Sequence, residues 1–130
     1  MFIDKEVFTI VSLYTRAQAI ADGFLVDVSD MAKEAGFKWP VAVTRAVWDK
    51  IVTPTPDDAQ QGQSEDGRLW DVLWMARLAV KANKDDRDFV LFQVFVLCDW
   101  KHQEVTLKLV LNLESPKGGP CLTVMLPEEA

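Results

Sequence analysis

With 130 residues, 49% of them hydrophobic and 26% charged, the chain has an ordinary globular composition and enough length to bury a core, which excludes disorder throughout. Fourteen Lys and Arg against twenty Asp and Glu leave a formal net charge of -6, the wrong sign for a protein whose main task is gripping a phosphate backbone. No apolar run approaches the roughly 18 residues of a membrane span.

The opening residues, MFIDKEVFTIVSLY, carry early acids and no uninterrupted apolar stretch, so they do not read as a signal peptide, and the chain is expected to be cytoplasmic. Residues 6–13 are apolar at Val7, Ile10 and Val11, which suits a first short helix. Thr15 is placed to cap a helix over 16–22, with Gly23 in the stopping position. FLVDV, residues 24–28, is a short strand candidate. Ser29 then caps a helical turn over 30–35 that Gly36 ends. The Lys38-Trp39-Pro40 step breaks the pattern, because a residue preceding proline is pushed out of helical geometry. Thr44 is positioned to cap a helix over 45–51 that buries Val47 and Ile51, with Trp48 adjoining.

Residues 53–66, TPTPDDAQQGQSED, are rich in Pro, Gln and acids and hold one apolar side chain, Ala59. A connection this long without periodicity reads as a mobile acidic loop or as a segment that contacts a partner. Asp66 next opens a helix through GRLWDVLWMARLAVK. Leu69, Leu73, Ala76 and Val80 form its stripe, and Val72 and Ala79 widen it. Trp70 and Trp74 stand one turn apart on the flank. Met75 and Leu78 occupy much of the remaining face, so this helix is expected to be buried.

From residue 88 the period becomes two. FVLFQVFVLC alternates apolar with apolar and is expected to be buried on both faces. Residues 99–103, DWKHQ, supply a polar turn. Val105, Leu107, Leu109, Leu111 and Leu113 then alternate with mostly polar residues, as a strand with one wet face does. Residues 115–120, SPKGGP, form a turn, and Leu122, Val124 and Leu126 a last strand. Cys98 and Cys121 lie far apart in these strands and are expected to be buried, reduced thiols. The fold class is thus α+β in a single domain over 1–130, with short N-terminal helices and one long buried helix packed on a three-stranded antiparallel C-terminal meander.

Several blocks together carry a resemblance: YTRAQAIADGFLVDVS (14–29), EAGFKWPVAVTRAVW (34–48), GRLWDVLWMARLA (67–79), TLKLV (106–110) and TVMLPEE (123–129). They are similar to their counterparts in a family of small uncharacterised bacterial proteins associated with plasmids, phages and integrative elements, catalogued as a domain of unknown function. The resemblance implies a bacterial, cytoplasmic, accessory-gene setting, and it supplies no catalytic residues.

No chemical motif stands out. Serine elbows, Walker loops and dinucleotide glycine fingerprints are absent. One histidine, His102, and two dispersed cysteines give no zinc-ligand spacing, so neither metal nor cofactor is expected. Five tryptophans, Trp39, Trp48, Trp70, Trp74 and Trp100, are the binding candidates, because indole rings serve both cores and contact hot spots. Arg16, Asp27, Arg45, Arg68 and Asp71 are charges set among apolar neighbours, which are tolerated mainly when paired. They are expected either to pair across elements, Asp27 and Asp71 with arginines, or to form a cleft with shifted pKa values.

The leading expectation is a non-enzymatic binding or regulatory accessory protein of a mobile element, acting through a protein partner. The alternative is a small enzyme or ligand-binding domain using the arginine and carboxylate cleft. Direct nucleic-acid binding is disfavoured by charge, and mimicry of nucleic acid by acids scattered among cations. Homo-oligomerisation stays open.

Overall fold

The proline that stops the early helices also starts a strand. A computed structural model of the chain describes residues 16–83, 88–98, 100–112 and 120–129. In it Val41–Thr44 form a strand whose first three residues are buried. This strand, β2, pairs antiparallel with β1 (Leu25–Asp27) and parallel with β5 (Cys121–Met125). β5 pairs antiparallel with β4 (Lys101–Asn112), and β4 with β3 (Phe89–Cys98). The sheet order is β1-β2-β5-β4-β3. The expected C-terminal meander is therefore one part of a five-stranded mixed sheet. The parallel β2–β5 join corrects the three-stranded reading.

Helix α1 covers 16–21 and α2 covers Ser29–Glu34. α3 (Arg45–Val47) runs into a π-helical turn, Trp48–Val52. Thr44 Oγ1 accepts from Val47 N–H at 3.2 Å, the expected cap. Ser29 does not cap α2. Its hydroxyl donates to Asp27 Oδ1 at 2.6 Å and accepts from Val41 N–H, tying β1 to β2 instead. At the end of α2, Phe37 N–H reaches Ala32 O, and Gly36 sits at φ +105°, where a side chain would be strained. The helix expected over 6–13, the cap at Thr15 and most of the turn over 115–120 lie outside the described residues.

The 53–66 stretch holds its own helix, α4 (Pro56–Gln60), capped by Thr55 Oγ1 on Asp58 N–H. The proline at its first position has no N–H to lose there. α5 (Glu65–Ala82) follows, with Ser64 Oγ accepting from Gly67 N–H at 3.0 Å. No helix among the described residues is long and apolar enough to cross a membrane.

α5 lies across the inner face of the sheet. Leu69, Val72, Leu73 and Ala76 share one buried core with Phe92, Val94, Leu107, Leu109 and Val124 of the sheet and with Val41, Val43, Val47 and Val52. Met75 and Ala79 pack at the margin of this core, and on the far side of α5 Trp70, Trp74, Leu78 and Val80 are exposed. The helix is thus half-buried, because a sheet covers one side of a helix and no second layer lies over the other among the described residues. β3 departs from expectation in the same way. Phe92, Val94 and Val96 are buried and Val90 and Cys98 only half-buried, so Cys98 is not the buried thiol expected, while Phe89, Leu91 and Phe95 point away from the core into the open. The polar stretch after β3 is mostly strand, with Lys101–Glu104 continuing the ladder opposite Cys98–Phe95.

Truncating Leu73, fully buried in the centre of this interface, is expected to cost about 2–5 kcal/mol. Leu78→Ala, on the opposite side of the same helix, should stay within about 0.5–1 kcal/mol. Urea unfolding of the two variants measures both, and equal losses would contradict the half-buried placement.

Candidate functional site

The five charges singled out in the sequence do not converge. Arg16 Nη1 donates to Thr123 Oγ1 at 2.6 Å and Nη2 to Leu122 O at 3.1 Å, which lays α1 across β5. Asp27 accepts from the N–H and hydroxyl of Ser29, two residues along. Arg45 Nε donates to Gly23 O at 2.8 Å, and its guanidinium lies 3.7 Å from Asp49 on the surface. These contacts hold elements together, and none joins Asp27 or Asp71 to an arginine.

Arg68 is the one buried cation among the described residues. Its partner is Asp58, at 3.2 Å, an acid from the middle of the 53–66 stretch. The guanidinium also donates to Leu97 O at 2.7 Å and, more loosely, to Ile51 O and Thr53 O at 3.3 and 3.4 Å. The Ile51 and Thr53 carbonyls end the π-helical turn and lack helical partners, which is why a side-chain donor suits them. Arg68 therefore joins four segments: the end of that turn, α4, α5 and the far end of β3. Its Nε finds no acceptor among the described residues. Nothing local in PTPDDAQQ marks Asp58 as the acid that goes inside, so composition alone reads it as solvated.

Asp71, one turn along α5, borders a hollow of about 160 Å³ with Arg68, His102 and the Val94–Leu97 end of β3. Partial burial raises its pKa above the ordinary 3.8, since desolvation penalises the carboxylate.

The tryptophans divide between four places. Trp48 packs against the core. Trp39 is exposed at the rim of an apolar hollow of about 260 Å³, which Phe37, Val90, Leu109 and Arg77 also line. Trp100 is exposed at the β3–β4 turn with φ +65°, a conformation that costs a residue bearing a Cβ about 1–2 kcal/mol. Trp70 and Trp74 alone form a pair. Their rings stack with centroids 5.9 Å apart and planes 16° from parallel. They are 37% and 44% exposed, and Leu78, four residues further, is 42% exposed. The i, i+4, i+8 spacing draws these three into one apolar ridge along the outside of α5. Arg77, which shares that flank by helical angle, turns away and donates from Nε to Gly36 O at 3.2 Å.

Among the described residues, no three His, Cys, Asp or Glu side chains stand close enough to hold a metal ion. Cys98 and Cys121 are free thiols.

Two variants test the polar joint. Arg68→Met takes the guanidinium away from the buried Asp58 carboxylate and is expected to cost about 3–5 kcal/mol. The double variant R68M/D58L should lose less than the two single losses added together, read as a double-mutant cycle by urea unfolding. Asp71 gives a pH signature. A carboxyl whose folded pKa is raised above 3.8 contributes stability below that value and loses it as pH rises through the folded pKa. Asp71→Asn is therefore expected to gain on the parent protein in thermal melts near neutral pH, and the gain should vanish below about pH 3.5.

Neither a curated protein nor a solved structure matches the chain. A family model does, over residues 1–130, and the chain belongs to that family of unknown function, DUF6573.

Proposed function

We propose that the chain is a non-enzymatic binding protein, a regulatory accessory of a bacterial mobile element that acts in the cytoplasm on a protein partner. The observation that carries this reading is the Trp70–Trp74–Leu78 ridge. Two stacked indoles and a leucine are held in water on a helix whose other side is locked into the core. Tryptophan is the residue most enriched where protein interfaces concentrate their binding energy, and a rigid helix presents it with little entropy left to lose. The sequence resemblance supplies the setting, since small proteins of mobile elements often work by engaging host or element proteins. The net charge of -6 adds a preference for a partner surface with basic residues around its apolar groove.

A small-molecule ligand is the second reading, favoured by the apolar hollow beneath Trp39. Of the arginine and carboxylate cleft expected from the sequence, Arg68 and Asp71 border one hollow, whereas Arg16, Asp27 and Arg45 are engaged elsewhere.

Affinity purification of the tagged chain from a host carrying the element, followed by mass spectrometry, separates the two. The binding reading expects a defined protein to co-purify and its recovery to fall at least about tenfold for W70A/W74A, with the variant's melting curve unchanged. Equal recovery by both chains overturns it. So does recovery of the chain alone while a small apolar compound raises its melting temperature.

A further inference from the structure

We infer that β3 is a dimerisation edge, at which a second copy of this chain adds its own β3 antiparallel to extend the sheet. Among the described residues no strand lies beyond β3 in the order β1-β2-β5-β4-β3. The two edges differ sharply. β1 is three residues long and carries Asp27, whereas β3 runs ten residues, FVLFQVFVLC, without a charge. Long uncharged edges invite strand addition, and proteins that stay monomeric usually interrupt them with lysine, proline or a bulge.

The ladder shows which backbone groups are open. Leu111 N–H donates to Asp88 O across the β3–β4 pair, so even-numbered residues of β3 turn their N–H and C=O toward β4. Odd-numbered residues, Phe89 to Leu97, then turn theirs toward the open edge. Leu97 agrees, since its carbonyl is the one Arg68 reaches. That contact closes the far end of the edge and leaves Phe89, Leu91, Gln93 and Phe95. A two-fold axis beside Phe92 sets Phe89 opposite Phe95 of the second copy and Leu91 opposite Gln93, each pair exchanging N–H and C=O. The strand is self-complementary in this register: aromatic faces aromatic, and no charge is buried.

Side chains on the outer face supply the apolar area. Phe89, Leu91 and Phe95 are 43%, 51% and 59% exposed, which leaves on the order of 300 Å² per copy for these three. A standard interface buries about 800 Å² per partner. With the backbone edge added, the pair belongs among small interfaces and should interconvert with monomer at about 10–100 µM.

Sedimentation velocity on the whole chain from about 5 to 500 µM reads the association. The parent protein is expected to shift from monomer to dimer, and F95K and L91K, which alter exposed side chains only, to stay monomeric with unchanged melting curves. F89E/F95K, which sets opposite charges across both ends of the same register, is expected to restore the dimer. W70A/W74A should leave it intact, which separates this edge from the α5 ridge. A parent protein that is monomeric throughout overturns the inference. So does an F95K that associates normally, a double charge variant that fails to recover, or a dimer lost with the tryptophans.

Discussion

A guanidinium inside a protein must be answered on several sides at once, and in this chain that demand organises everything around Arg68. Desolvating the charge costs several kcal/mol, so its position is stable only where carboxylate and carbonyl oxygens surround it. Asp58, Leu97 O, Ile51 O and Thr53 O do so, drawn from α4, the far end of β3 and the end of the π-helical turn. The acid-rich stretch before α5 is consequently drawn down onto the fold through one buried carboxylate. Thr53 Oγ1 also donates to Glu65 at 3.2 Å, fastening its start to the first turn of α5. The same residue that anchors α5 thus fixes the chain that leads into it.

That anchoring determines which side of α5 is left in water. With Arg68, Leu69, Val72, Leu73 and Ala76 turned inward, the residues about half a turn away have no core to enter. Trp70, Trp74 and Leu78 are placed outside by geometry, although hydrophobicity alone would send them in. The sheet obeys the same logic. Its inner face is filled by α5 and the N-terminal elements, so the odd residues of β3 must face outward whatever their chemistry.

This explains which features the sequence disclosed. Local signals came through: Thr44 caps α3, and Gly36 ends α2. Alternation marked β3, β4 and β5, and the 3.6-residue period marked α5. What periodicity cannot report is the number of layers. An all-round apolar helix and a two-face apolar strand read as buried because burial is the usual fate of such patterns, and the missing second layer is a fact about the whole fold. Val41–Thr44 escaped notice because a four-residue strand between a proline and a helix cap is too short to show a period. Its parallel pairing with β5, some eighty residues along the chain, leaves no local trace. Asp58 is invisible for a related reason, since its burial is decided by a guanidinium ten residues away and not by its polar neighbours. The candidate site was legible only in kind. Trp70 and Trp74 stood out by type and spacing, and Phe89, Leu91 and Phe95 were hidden by an alternation that looked like core.

The distribution of partners bears on what such a surface is for. Chemistry requires polar groups that converge on a common point and keep some capacity uncommitted. The four arginines among the described residues are each engaged in holding segments together: Arg16 on β5, Arg45 on the Gly23 turn, Arg68 in the interior and Arg77 on the end of α2. The apolar groups, in contrast, are in surplus. Exposed rings and branched chains lie on the outside of α5 and along β3, on rigid elements whose opposite faces are fully packed. Large apolar side chains held rigidly in water gain most from being covered, because their conformational entropy has already been lost in forming the core-facing side. Arginines engaged within the fold and apolar side chains left outward are the physical ground on which the proposed association rests.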